Sequence, residues 1–140
     1  MKVAVIYAST TGNTEAMANA VCESVKASGA EVIFGTADKA DSAAVSSCDV
    51  ILLGSPAMGA EVLEDSMEDF YSKIESSLGG KKAGIFGSYD WGDGQWMRTW
   101  EDRVKAAGAE LVNGAGGISN LEPSEDILAQ CRELGKKLAE

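Results

Sequence analysis

The residues best suited to chemistry are Ser9, Thr10, Thr11, Gly12, Asn13 and Thr14. They follow the apolar run Val3-Ala4-Val5-Ile6-Tyr7 and precede a helical pattern that starts near Glu15. A buried strand that runs through small hydroxyl residues and one glycine into a helix aims hydroxyls and backbone N–H groups at one spot. That spot lies at the positive end of the helix dipole. The loop reads as a phosphate cradle, although an ordinary capped βα turn uses the same residue types. It lacks the Gly-Lys-Ser/Thr of a nucleotide-triphosphatase loop. It has one glycine where a dinucleotide fingerprint needs three. Hydroxyl and amide donors without a cation suit a terminal monophosphate.

Two further loops carry unusual side chains. One reads Gly54-Ser55-Pro56-Ala57-Met58-Gly59-Ala60-Glu61, the other Gly87-Ser88-Tyr89-Asp90-Trp91-Gly92-Asp93-Gly94. Met58 and Trp91 are large apolar residues in otherwise small, turn-forming segments. Flanking glycines let backbone approach a ligand closely. A flat aromatic ligand between a thioether and an indole fits both residues. Anchoring of Met58 in the core is the competing reading.

The elements that must position these loops alternate along the chain. Val3–Tyr7, Glu31–Phe34, Val50–Gly54 and Lys82–Gly87 read as strands. Met17, Ala18, Val21, Cys22 and Val25 recur at helical spacing, and Gly29 closes that helix. Residues 36–48 are ambiguous, with one short helix around Ala43. Leu63, Met67, Phe70, Tyr71, Ile74 and Leu78 mark a helix ended by Gly79-Gly80, and Trp96, Met97, Trp100, Val104 and Ala107 another that stops at Gly108. A last strand begins at Glu110–Asn113, and Gly114, Gly116 and Gly117 interrupt it before Ile118. Pro123 opens a final helix with Ile127, Cys131, Leu134 and Leu138 on its inner stripe. Regular β-α alternation predicts a parallel sheet covered on both faces. Ligands of such sheets bind at the carboxyl ends of the strands. The loops Ser9–Thr14, Ser55–Glu61, Ser88–Gly94 and Asn120–Glu122 therefore converge.

Composition narrows the function. The chain has 140 residues, 45% hydrophobic and 24% charged, which suits one globular domain over 1–140. Its net charge of −10 disfavours nucleic acid and anionic membranes and favours a basic protein surface. There is no histidine, which removes the commonest general base and metal ligand. Cys22, Cys48 and Cys131 are far apart and form no Cys-x-x-Cys pair, which predicts reduced, buried thiols. No apolar run reaches membrane-spanning length and no signal pattern precedes the first strand, so the expected location is the cytoplasm.

The whole chain resembles a short-chain flavodoxin of the clostridial type. The resemblance rests on Thr10-Thr11-Gly12-Asn13-Thr14, Ala57-Met58-Gly59, Glu61-Val62-Leu63-Glu64, Gly87-Ser88-Tyr89, Trp91-Gly92-Asp93-Gly94 and Trp96-Met97-Arg98. It implies a flavodoxin-like, doubly wound, five-stranded parallel sheet of order 2-1-3-4-5 with helices on both faces. It implies one non-covalent FMN and no metal, with the phosphate on Ser9, Thr10, Thr11, Gly12, Asn13 and Thr14. Met58 and Trp91 would sandwich the isoalloxazine. Glu61 would accept from the flavin N3–H, and the Gly59-Ala60 peptide would face N5. Pro56, Ala57, Ser88, Tyr89, Asp90, Gly92, Asp93 and Glu122 would line the remaining edges. Ala60 and Asp90 depart from the family pattern. The implied function is low-potential one-electron transfer between quinone, semiquinone and hydroquinone states, with no catalytic residue. The implied partners are redox proteins with basic docking patches, such as flavodoxin or ferredoxin reductases, met by a monomer. A small FMN-dependent reductase is the alternative.

Overall fold

In the computed structural model, residues 2–8, 12–58, 62–63, 65–89, 95–111, 117–120 and 125–138 are described. Backbone alone is described at 13, 57–58, 62–63, 88–89, 95, 117–120, 125–127 and 138. Apolar runs too short for helices form the strands β1 (Lys2–Tyr7), β2 (Glu31–Thr36) and β3 (Val50–Gly54). Their side chains are buried on both faces at β1 and β3, as a covered parallel sheet demands. Two short strands, β4 (Ala57–Met58) and β5 (Val62–Leu63), pair with each other. They are followed by β6 (Lys82–Tyr89), β7 (Glu110–Leu111) and β8 (Gly117–Asn120). The helices are α1 (Asn13–Ala27), α2 (Ser42–Ser46), α3 (Asp65–Ile74), α4 (Gln95–Ala106) and α5 (Glu125–Leu138). A 3-10 turn, Glu75–Ser77, continues α3.

The main sheet runs β2-β1-β3-β6, with β7 and β8 both on the far edge of β6. Every pairing in it is parallel. β7 and β8 share the fifth strand position, so the expected order 2-1-3-4-5 holds. β6 pairs its first half with β7 and its second half with β8.

Period-two burial splits the core into two layers. Ala4, Ile6, Ile51, Leu53 and Ile85 face α2, α3 and α4, where Met67, Phe70, Tyr71, Trp96 and Trp100 fill the space. Val3, Val5, Leu52 and Phe86 face the other way, against Met17, Val21 and Val25 of α1 and Cys131 and Leu134 of α5. There α1 and α5 approach closely at Gly135, where a Cβ would meet Ser24 Oγ at 2.2 Å and Val21 O at 2.6 Å. Cys22, Cys48 and Cys131 are free and buried. Burial pushes all three thiols up, Cys131 to about 11, so they are protonated and unreactive.

Several boundaries differ from the sequence reading; β2 runs on to Thr36, Ala57 and Met58 form β4 within an expected loop, and three more concern the strand ends. Leu63 belongs to β5 rather than to the α3 stripe, because it pairs with Ala57. β6 continues through Ser88 and Tyr89, which pair with Ser119 and Asn120 instead of opening a loop at 88. Gly117 starts β8 rather than interrupting it. Ile127 and Leu138 lie in α5, with no side-chain position described, and Pro123 lies outside the described residues.

Candidate functional site

The site is built where the carboxyl ends of β1, β3, β6 and β8 point the same way. Tyr7, the last residue of β1, lies level with Gly54 of β3, and Gly54 with Phe86 of β6. Three backbone bonds tie these ends together. Ala8 N–H donates to Gly54 O at 2.9 Å, Ala37 N–H to Tyr7 O at 2.8 Å and Ser55 N–H to Phe86 O at 3.1 Å. Ser55 is fully buried, and its hydroxyl donates to Pro56 O at 3.0 Å. Pro56 is buried as well.

Two glycines make this junction possible. A Cβ at Gly54 would stand 2.2 Å from the Phe86 ring, and one at Gly87 would stand 2.0 Å from Ser55 O. Beyond them Ala57 pairs with Leu63 and Met58 with Val62, and β4 lies against β6. The backbone of Met58 is thus carried to the same end of the sheet as Ser88 and Tyr89.

The α1 N-terminus completes the arrangement. Gly12 takes φ 91° at the N-cap, a conformation that costs a residue with Cβ about 1–2 kcal/mol. It has no side chain with which to cap, and among the described residues nothing lies within 4 Å of where its Cβ would be. Ala16 N–H donates to Gly12 O at 3.0 Å, the first bond of the helix. Thr14 is buried in the first turn. A helix that starts on a left-handed glycine fits a phosphate, because its partial positive charge and N–H groups face the anion. Residues that sequence reasoning passed over also stand here. Tyr7 Oη donates to Glu15 Oε2 at 3.3 Å, and the Tyr7 ring lies 5.4 Å from that of Phe34. Burial first, then the charge and hydrogen bond of Glu15 and the charge of Asp38, raise the Tyr7 phenol. The available signal was Tyr7 itself, a strand-end aromatic facing a first-turn acid one helix entry away.

The structure therefore brings together the backbone of Gly12, Asn13, Thr14, Pro56, Ala57, Met58, Ser88 and Tyr89. Ser9, Thr10, Thr11, Gly59, Ala60, Glu61, Asp90, Trp91, Gly92, Asp93 and Glu122 lie outside the described residues. Trp96 and Trp100 are core residues, as expected. Asp65 is exposed in the first turn of α3, where its charge complements the dipole. Among the described residues no group of acids and cysteines could hold a metal, and no helix is long and apolar enough to cross a membrane.

The flavodoxin family model matches residues 5–134. The chain belongs to the flavodoxin family. It is 47% identical to the flavodoxin of Megasphaera elsdenii over 138 residues, covering 98% of each chain. It is 40% identical to that of Clostridium beijerinckii over 136 residues, covering 96% of this chain and 97% of the relative. The solution structure of two-electron reduced Megasphaera elsdenii flavodoxin superposes with a TM-score of 0.84 at 44% identity, over 99% of this chain and 98% of that one. The expected short-chain, clostridial resemblance and the flavodoxin-like sheet are both borne out. The protein is accordingly an FMN-binding electron carrier rather than an enzyme, and the reductase alternative is not favoured. A carrier on FMN needs no general base, which accounts for a chain without histidine.

Proposed function

We propose that FMN sits across the carboxyl ends of β1, β3, β6 and β8. The phosphate rests on Ser9–Thr14, held by hydroxyls and by backbone N–H groups at the α1 N-terminus. Met58 and Trp91 cover the two faces of the isoalloxazine. Glu61 accepts from N3–H, the Gly59-Ala60 peptide faces N5, and Pro56, Ala57, Ser88, Tyr89, Asp90, Gly92, Asp93 and Glu122 line the edges. The observation that carries this reading is the Gly54–Ser55–Gly87 junction, which sets the ends of β3 and β6 close together at the end of the sheet where α1 begins on the left-handed Gly12. FMN supplies the one-electron chemistry. The chain's own part is to bind, to exclude water and to surround the ring with the carboxylates of Glu61, Asp90, Asp93 and Glu122. Negative charge there opposes added electrons and sets a low potential.

The same acidic end would receive redox partners with basic patches, in small and transient contacts. We read residues 1–140 as one domain, a monomer of the cytoplasm. The test is a pair of titrations. Thr11→Ala should weaken FMN binding by about 1–3 kcal/mol through lost charge-assisted bonds and leave riboflavin, which lacks the phosphate, unaffected. An equal loss for riboflavin would show that the loop does not hold the phosphate.

A further inference from the structure

Arg103, in the last turn of α4, reaches across to α3. Its Nη1 and Nη2 donate to Glu68 Oε1 and Oε2 at 2.7 and 2.9 Å, and its Nε lies 3.5 Å from Glu75 Oε2. Its guanidinium carbon stands 4.7 Å over the Tyr71 ring. Tyr71 is fully buried and meets Trp100 of α4 edge-on, with ring centroids 6.1 Å apart. One cation thus grips α3 in its first turn, at its middle and at the 3-10 turn that continues it. A bidentate fork over an aromatic face is the geometry Arg provides and Lys does not.

Stability is one reason for this arrangement, a modest one because Arg103 and Glu68 are 30% and 43% exposed. Its location supplies a better one. Segment 59–64 runs into α3 at Asp65, and segment 90–94 runs into α4 at Gln95. Glu68 is in the first turn of α3, directly after the first segment. At the start of α4, Trp96 packs on β6, its Cζ2 3.2 Å from where a Gly87 Cβ would be. Glu68, Arg103, Tyr71 and Trp100 thus form one linked set between α3 and α4, the helices that follow those segments.

We infer that Arg103 is a positioning residue of the flavin site: it clamps α3 to α4, the helices to which Gly59–Glu61 and Trp91 are joined in sequence at Asp65 and Gln95. This rests on the flavin placement proposed above. The clamp touches neither segment and acts through the helices that follow them.

The test uses FMN-loaded protein carrying Arg103→Met, Arg103→Lys or Glu68→Gln. Arg132→Met serves as control, since it breaks a surface ion pair with Glu23 (3.8 Å) on the opposite face. The readouts are the FMN dissociation constant, the two one-electron midpoint potentials and thermal unfolding. Arg103→Met should weaken FMN about tenfold, a coupling typical of a contacting network. It should also move the two potentials by different amounts, because oxidised and reduced flavin then lose different binding. Glu68→Gln should shift both readouts in the same direction, Arg103→Lys should fall between Arg103→Met and the parent, and Arg132→Met should match the parent. If Arg103→Met does not fold, Arg103→Lys and Glu68→Gln give the same readouts. A lowered unfolding temperature with parental dissociation constant and potentials would overturn the inference. Trp91→Ala, run alongside, separates the two readings. If it leaves FMN affinity unchanged, the flavin placement fails; if it weakens FMN while the Arg103 and Glu68 variants do not, only the clamp fails.

Discussion

Gly87→Ala tests the junction at the head of the site. The added methyl would stand 2.0 Å from Ser55 O, whereas even a close C···O contact is about 3.3 Å. Ser55 must therefore retreat by about 1.3 Å, or β6 must. Neither partner is the end of a flexible side chain. The oxygen is backbone, and the same residue donates its N–H to Phe86 O at 3.1 Å. Trp96 Cζ2, 3.2 Å from the methyl, blocks a sideways move. Overpacking of this kind costs about 1–3 kcal/mol, and losing the Ser55–Phe86 bond adds about 1. A total of about 2–4 kcal/mol corresponds to a fall of roughly 6–15 °C in unfolding temperature for a chain of this size. FMN affinity should fall too, because Pro56 and Ala57 follow Ser55 directly. Gly35→Ala is the matched control: it lies in a strand, and its Cβ would meet nothing within 4 Å. It should be neutral or stabilising by about 0.5 kcal/mol. The assays are thermal unfolding of the FMN-free protein and fluorescence titration with FMN. A Gly87→Ala protein as stable as Gly35→Ala, with parental FMN affinity, would refute the argument.

Three other outcomes are expected. Trp100→Ala should destabilise the fold by about 3–5 kcal/mol, whereas Trp91→Ala should chiefly raise the fluorescence of bound flavin and weaken its binding; equal effects on flavin emission would contradict the assignment. Glu101 is nearly buried, one of its oxygens has no hydrogen-bond partner among the described residues, and burial raises its carboxyl. Its ionised form opposes folding above its unfolded value near 4.5, so Glu101→Gln should stabilise the protein at pH 7 by about 1 kcal/mol, a gain that vanishes in unfolding curves measured below that pH. Electron transfer to a basic partner should slow as ionic strength passes about 0.1 M, where the Debye length is about 10 Å; a second-order rate indifferent to salt would remove electrostatic docking.

The sheet and its two apolar layers were legible because each rests on local pattern. Continuous apolar runs announced β1 and β3, and helical spacing announced α1 and α4. Connection rules then placed the ligand at the strand ends. What escaped depends on pairing between distant residues. Leu63 continues the spacing of Met67, Phe70 and Ile74, so periodicity assigns it to α3, yet its partner is Ala57. Ser88 and Tyr89 look like loop, and only β8 makes them strand. α2 is too short for periodicity; its one usable signal is Asp41, whose carboxylate accepts from Ala43 N–H at 3.0 Å. Nothing local to Arg103 in the sequence says that Glu68 and Tyr71 lie opposite it.

The close packing at Gly135 bears on how the chain is made. The described residues of the layer that faces α2, α3 and α4 all come at or before Leu111. The other layer needs Cys131 and Leu134, which come more than a hundred residues after Met17 and Val21, the side chains they cover. At roughly 5–20 residues per second, the early strands and α1 wait several seconds on the ribosome with one apolar face open. That face is covered when α5 packs on α1, where a Cβ at Gly135 would meet Ser24 and Val21. During synthesis the apolar side chains that Cys131 and Leu134 cover are therefore among the last to be buried. That interval is when chaperone binding, or misassociation between neighbouring nascent chains, would act.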